Sequence, residues 1–213
     1  MAKPCRYIAV AGNMGSGKSS LVQFLCTHYK VKPFYEPNDE NPYLKDFYKD
    51  MKRWAFHSQM YFLAGKFRIH QELENTRING HNGKGCTVVQ DRTIYEDAEI
   101  FATNLYRSRR MRKRDFETYM ALYDSIRRSL CPPDVMVYLR ASVRTVRKRI
   151  KLRGRPEEQS IPISYIRRLN KLYEEWLEGY DQSPIMVIET DRMDYVTDLV
   201  DRLDLIQKIE RYL

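Results

Sequence analysis

The stretch Gly12-Asn13-Met14-Gly15-Ser16-Gly17-Lys18-Ser19 decides how this chain is read. It follows Tyr7-Ile8-Ala9-Val10-Ala11, a short apolar run suited to a buried strand. It precedes Ser20-Leu21-Val22-Gln23-Phe24-Leu25, where the apolar spacing becomes helical. Strand, glycine-rich turn and helix are the context of a phosphate-loop motif. Glycines let the main chain approach phosphate closely, and successive N–H groups at a helix N-terminus form an anion nest. Lys18 supplies a point charge for the β- and γ-phosphates, and the Ser19 hydroxyl is placed to ligate Mg2+. Residues Gly12 to Ser20 are therefore expected to hold a nucleotide, and the rest of the chain to bring something to its γ-phosphate.

Working outward, strands are expected near 5–11, 31–35, 86–90, 134–140 and 185–190. Helices are expected near 17–29, 51–78, 93–106, 114–130, 142–151, 162–180 and 194–212. This alternation predicts an α/β fold, a parallel sheet flanked by helices on both faces. The segment 81–85 reads as a turn. With 213 residues, 43% of them hydrophobic, a single domain over 1–213 is expected. No run approaches the roughly 18 apolar residues of a membrane span. Met1-Ala2-Lys3-Pro4 opens without an apolar signal region, so a cytoplasmic protein is expected. Cys5, Cys26, Cys86 and Cys131 are scattered and read as reduced packing residues.

The net charge of +9 raises nucleic acid as a partner. The cations are uneven, however: one cluster spans 107–114 and the other 144–155. The first lacks the interleaved aromatics of a single-strand platform and reads as a solvated inter-helix loop. A compact anionic substrate rewards the second. Neither a nucleic acid nor a membrane is the expected partner.

Ligands of open parallel sheets sit beyond the carboxyl ends of the strands. Glu36, held extended by Pro37, stands after the second expected strand and suits the acceptor of a hydroxyl proton. Asp91 ends the third, where an acidic residue holds Mg2+ directly or through water. Arg92 beside it can bridge Glu36 and the reacting oxygen. Arg149, Arg153 and Arg155, with Gly154 between two of them, read as a lid over about 149–160 that closes guanidiniums on transferring phosphates. On the helix near 51–78, Gln59, Phe62, Leu63 and Lys66 share one face. That face suits a planar ring held by aromatics and read at its edge.

Taken together, Gly12 to Ser19, Tyr35-Glu36-Pro37, Trp54-x-Phe56-x-x-Gln59, Asp91-Arg92-Thr93-x-Tyr95-x-Asp97 and Arg153-Gly154-Arg155-x-Glu157-Glu158 resemble the deoxynucleoside kinases. The resemblance covers about residue 6 to 190. It implies a phosphate-loop kinase fold with a five-stranded parallel sheet, usually a homodimer, that uses Mg2+ and ATP to phosphorylate the 5′-hydroxyl of a deoxynucleoside. It makes Glu36 the base, Arg92 its companion, and Asp91 the acidic residue on the Mg2+ side. Gln59 and Asp97 would read the base. Tyr48 and Glu158 would hold the sugar 3′-hydroxyl, and Arg149, Arg153 and Arg155 would form the lid. The segment 191–194, with Asp191, Arg192 and Met193, would border the adenine of ATP. Several relatives carry arginine where this chain has Lys66, which lacks the bidentate fork.

Two rival readings stay open from sequence: a nucleoside monophosphate kinase, and a basic nucleic-acid-binding ATPase. For the acceptor, a purine deoxynucleoside is expected, deoxyadenosine before deoxyguanosine, with deoxycytidine as runner-up. The amide of Gln59 matches an adenine edge, Lys66 could serve the O6 of guanine, and Ser58, Ala64 and Gly65 would leave room for two rings. Thymidine is the least expected, because its O4 would face Asp97.

Overall fold

A computed structural model of the chain describes residues 5–35, 40–80, 86–193 and 198–213, apart from the side chains of Glu157 and Arg211. Five parallel strands form one sheet: β1 (Tyr7–Ala11), β2 (Lys32–Phe34), β3 (Val88–Asp91), β4 (Val135–Arg140) and β5 (Ile185–Glu189). Their spatial order is β2-β3-β1-β4-β5, so the strand that enters the phosphate loop is central. Register pairs Val10 with Asp91 on one side and with Val137 on the other. Pro33 has no N–H to give a ladder and is found on an edge strand, as that loss requires.

Side chains alternate across β1 and divide the core in two. Tyr7, Ala9 and Ala11 face a layer built from α3 (Met51–Asn79), α6 (Lys113–Arg127) and α8 (Ile163–Gly179). Ile8 and Val10 face Leu21, Val22 and Leu25 of α1 (Lys18–His28), and Leu205 and Ile209 of α9 (Leu199–Ile209). Each fully buried side chain of this size contributes about 1.5–3 kcal/mol. Apolar residues on both faces of β1 and β4 explain their near-continuous hydrophobic runs. Among the described residues no helix is long and apolar enough to cross a membrane.

The helices differ from the sequence expectation in three places. A short α2 (Leu44–Lys49) was not anticipated; its Phe47 packs into the core in front of α3. The helix expected over 93–106 breaks into α4 (Ile94–Glu96), a π-helical segment (Asp97–Ala102) and α5 (Thr103–Arg107). The expected terminal helix begins only at Leu199, and the turn at 81–85 lies outside the described residues. The fourth of the long helices, α7 (Val143–Arg153), ends on Gly154 at φ 72, a left-handed cap that glycine adopts without Cβ strain. Of the basic cluster at 107–114, Arg109, Arg110 and Arg112 occupy the exposed turn between α5 and α6, while Arg107 ends α5 and Arg114 lies in the first turn of α6.

Where β1 leaves the sheet the main chain turns at Gly12, with φ 146. A Cβ there would lie 2.6 Å from Ser16 Oγ and 2.8 Å from the Leu139 carbonyl oxygen. Gly12→Ala is therefore expected to cost about 1–3 kcal/mol of stability in urea unfolding. A wild-type midpoint in that variant would show that the turn tolerates a side chain.

Candidate active site

The loop from Gly12 to Gly17 uses three positive-φ glycines: Gly12, Gly15 (φ 71) and Gly17 (φ 107). Such angles expose successive N–H groups on one side of the loop and start α1 from Gly17. Lys18 is buried and curls back, its Nζ donating to the carbonyls of Gly12 (2.9 Å) and Asn13 (3.1 Å). The Asn13 amide donates to the Ile166 carbonyl at 3.2 Å, which ties the loop to α8.

At the end of β3 the Asp91 carboxylate faces the loop. Ser19 Oγ donates to Asp91 Oδ2 at 2.6 Å, while Oδ1 is buried with no hydrogen-bond partner among the described residues. Arg92 takes a left-handed φ of 61, which costs a non-glycine residue of order 1 kcal/mol. Its N–H donates to Val10 O at 3.0 Å, and its own carbonyl accepts from Lys66 Nζ at 2.7 Å. The guanidinium lies over the Phe101 ring, 4.4 Å from the centroid.

Two cavities open on either side of this centre. One, of about 310 Å³, is lined by Tyr35, Leu44, Phe47, Tyr48, Gln59, Phe62, Asp91, Arg92, Asp97, Phe101, Glu158 and Tyr165, together with residues of the loop and lid. Burial pushes the Tyr165 phenol up to about 12, so it remains an O–H group at neutral pH. The second, of about 930 Å³, is lined by Gly15, Gly17, Ser20, Ser142, Thr145, Arg149, Asp191, Arg192 and Met193 among others. Gly15, Lys18, Ser19, Arg153 and Arg155 line both. The cavities thus meet at the phosphate loop and at Arg153 and Arg155.

The model of the deoxynucleoside kinase family matches residues 8–213. The chain belongs to the deoxynucleoside kinase family. It is 36% identical to the deoxyadenosine/deoxycytidine kinase of Bacillus subtilis over 90% of this chain and 85% of that one. It is 38% identical to a deoxyguanosine kinase of Lactobacillus acidophilus over 95% and 88%. Among solved structures it resembles the deoxyadenosine kinase of M. mycoides bound to dCMP and dCDP. That match has a TM-score of 0.81, 32% identity, and covers 97% of this chain and 100% of that one.

In this deoxynucleoside kinase the anticipated site residues divide by place. Tyr48, Gln59, Phe62, Arg92, Asp97 and Glu158 meet in the smaller cavity, and Ser20, Asp191, Arg192 and Met193 in the larger. Gly12, Asn13 and Ser16 lie buried beneath the loop surface. Glu36 and Asp194 lie outside the described residues. Lys66 does not join the base-reading group: it is 1% exposed, lines neither cavity, and its Nζ supports the carbonyls of Asp91 (3.4 Å) and Arg92. Its ammonium compensates the strained turn instead of facing a ring. The room once ascribed to Ser58, Ala64 and Gly65 is elsewhere too. Ala64 is exposed, Ser58 is buried against Asn41, and none of the three lines the smaller cavity.

Arg149 also takes a different place from a free lid cation. Its guanidinium donates to Ser16 O (2.9 Å), Thr190 Oγ1 (3.0 Å) and Thr190 O (2.7 Å), so it fastens α7 to the loop and to the end of β5. Asp191 accepts from the Ser142 N–H at 2.8 Å. Its carboxyl sits below the ordinary range even though partial burial pushes it up, because of that N–H and the neighbouring hydroxyls. Arg153 and Arg155 both pair with Glu158, the latter at 3.6 Å.

Two residues bonded to the phosphate loop went unread in the sequence, Glu96 and Tyr173. Glu96 is fully buried and accepts from Gly12 N, Thr93 N and the Tyr173 hydroxyl. The spacing Thr93-x-x-Glu96 was the available signal, a capping box at the start of α4. Tyr173 gave none beyond helical periodicity.

Mg2+ fits the Ser19–Asp91 pair. A hydroxyl and an unsatisfied carboxylate oxygen lie together below the loop, and no third acidic, histidine or cysteine ligand is grouped there among the described residues. That donor set suits an ion that keeps waters and shares its shell with phosphates. Asp91→Asn is expected to raise the Mg2+ concentration needed for half-maximal turnover by about 10–100-fold. An unchanged Mg2+ titration would remove Asp91 from the metal site.

Proposed function

We propose that this kinase transfers the γ-phosphoryl group of ATP to the 5′-hydroxyl of a deoxynucleoside, with deoxyadenosine the preferred acceptor. The observation that carries this reading is the meeting of two cavities at Lys18, Ser19, Arg153 and Arg155, which lets two substrates share one reaction centre. The larger cavity suits the donor and the smaller the nucleoside. In the transfer a bond forms between the 5′-oxygen and the γ-phosphorus, and the bond from that phosphorus to the β–γ bridging oxygen breaks. The hydroxyl proton passes to Glu36, which follows Tyr35 of the acceptor cavity in the sequence.

Lys18 leaves its two carbonyl partners for the phosphates and, with Arg153 and Arg155, offsets charge on the transferring group. Arg92 orients the 5′-oxygen, and Tyr48 and Glu158 hold the 3′-hydroxyl. Mg2+, held by Ser19 and Asp91, supplies positive charge to the β- and γ-phosphates when bound.

The base preference rests on Gln59, whose Oε1 is buried without a partner among the described residues and which lines the acceptor cavity. An amide oxygen accepts from an exocyclic amine while its N–H donates to the adjacent ring nitrogen. Adenine and cytosine both present that edge. Guanine presents O6 instead, and the donor once assigned to it, Lys66, is engaged under β3. The edge therefore favours deoxyadenosine and deoxycytidine over deoxyguanosine, with thymidine last; deoxyadenosine is put first on the family resemblance alone. The name of the B. subtilis relative pairs the first two. We further propose a cytoplasmic homodimer, following the family resemblance.

The test is kcat/KM for the four deoxynucleosides at fixed Mg-ATP, with deoxyadenosine monophosphate as a fifth acceptor. The expected result is deoxyadenosine first, deoxycytidine within about tenfold, and no use of the monophosphate. Preference for thymidine, or for the monophosphate, would overturn the reading. Light scattering on the same preparation is expected to give twice the chain mass; a monomer mass would rule out the dimer.

A further inference from the structure

Glu96 has no place in the transfer as derived above, yet it is the most completely buried charge near it, with 0% exposure. A carboxylate taken out of water is tolerated only when its oxygens are satisfied. Its two oxygens serve different parts of the molecule. Oε2 accepts from Thr93 N (2.7 Å) and Thr93 Oγ1 (3.2 Å), which caps α4. Oε1 accepts from Gly12 N (3.1 Å), lies 2.8 Å from the Tyr173 hydroxyl, and sits 3.9 Å from Arg92 Nε. Gly12 opens the phosphate loop, which borders both cavities; Arg92 lines the acceptor cavity. Glu96 itself lines neither cavity, so it touches no substrate.

We propose that Glu96 is a positioning residue: it fixes the Arg92 guanidinium and the first peptide of the phosphate loop in one relation, and Tyr173 orients it. This inference rests on the kinase reading. Phosphoryl transfer leaves the protein little covalent chemistry, so alignment carries much of the rate. A displacement of about 1 Å between reacting groups costs up to roughly 100-fold. Tyr173 is suited to its part. Its hydroxyl also reaches the Gly12 carbonyl at 2.9 Å, and burial, then Glu96, push its phenol well above the ordinary value, so it stays protonated.

Glu96→Gln tests the idea with little change of shape. The amide oxygen keeps the Thr93 pair, so the cap of α4 survives. The NH2 then faces Gly12 N–H, which loses its acceptor, and Arg92 loses its counter-charge. The expected result is a fall in kcat of roughly 10–100-fold, with both KM values within about threefold. In an Arg92→Ala background the same change is expected to cost clearly less than in the wild type, because the part acting through Arg92 is already lost and only the Gly12 contact remains. A residue that only stabilises the fold would lower the melting temperature and leave kcat intact. Unchanged kcat, a loss confined to KM, or fully additive losses would overturn the proposal. If Glu96→Gln does not fold, Tyr173→Phe decides, since the ring keeps its packing on Tyr138 and Trp176. It should lower kcat in the same way, and wild-type kcat would overturn the proposal. Each comparison uses the wild-type rate on its best acceptor. A different acceptor would therefore refute the base assignment and leave this test standing.

Discussion

The peptide at Gly12 is the constraint on which the rest of the site depends. Its carbonyl takes Lys18 Nζ and the Tyr173 hydroxyl, with Arg92 Nη2 at 3.5 Å, and its N–H goes to Glu96. Those groups come from α1, α8, the end of β3 and α4. No side chain could stand at Gly12, where a Cβ would press on Ser16 Oγ and the Leu139 carbonyl oxygen. The central place of β1 in the sheet follows from the same requirement: the loop needs neighbours on both sides.

Around that peptide, buried charges are set in opposite pairs or against main-chain dipoles. Lys66 lies against two carbonyls, Glu96 against two N–H groups, and Arg92 against an aromatic face and a carboxylate. Removing one partner of such a set leaves the other uncompensated in a low-dielectric interior, which costs more than the pair contributes.

The sheet, the phosphate loop and the rim of strand ends were legible because each rests on local periodicity. Tyr7 to Ala11 is apolar at every position, and Lys18-Ser19 follows glycines at fixed spacing. What escaped depends on tertiary structure. Leu44–Lys49 is too short and too charged for a helical pattern, and only the burial of Phe47 justifies α2. The π-helical turn at Asp97–Ala102 holds one extra residue that no periodicity announces. Helix geometry placed Gln59, Phe62 and Lys66 on one face correctly. It did not tell that Lys66 would meet a strand end while Gln59 and Phe62 met a cavity, because one face of a 29-residue helix runs past several neighbours.

The pairing of Arg153 and Arg155 with Glu158 has a consequence for how the lid meets a polyphosphate. The two guanidiniums do not wait as bare cations; they already hold an anion. A phosphate reaching these arginines would have to compete with that carboxylate, which itself lines the smaller cavity. Arg144 and Lys148 line the larger cavity apart from that pairing and add to the positive field at its mouth.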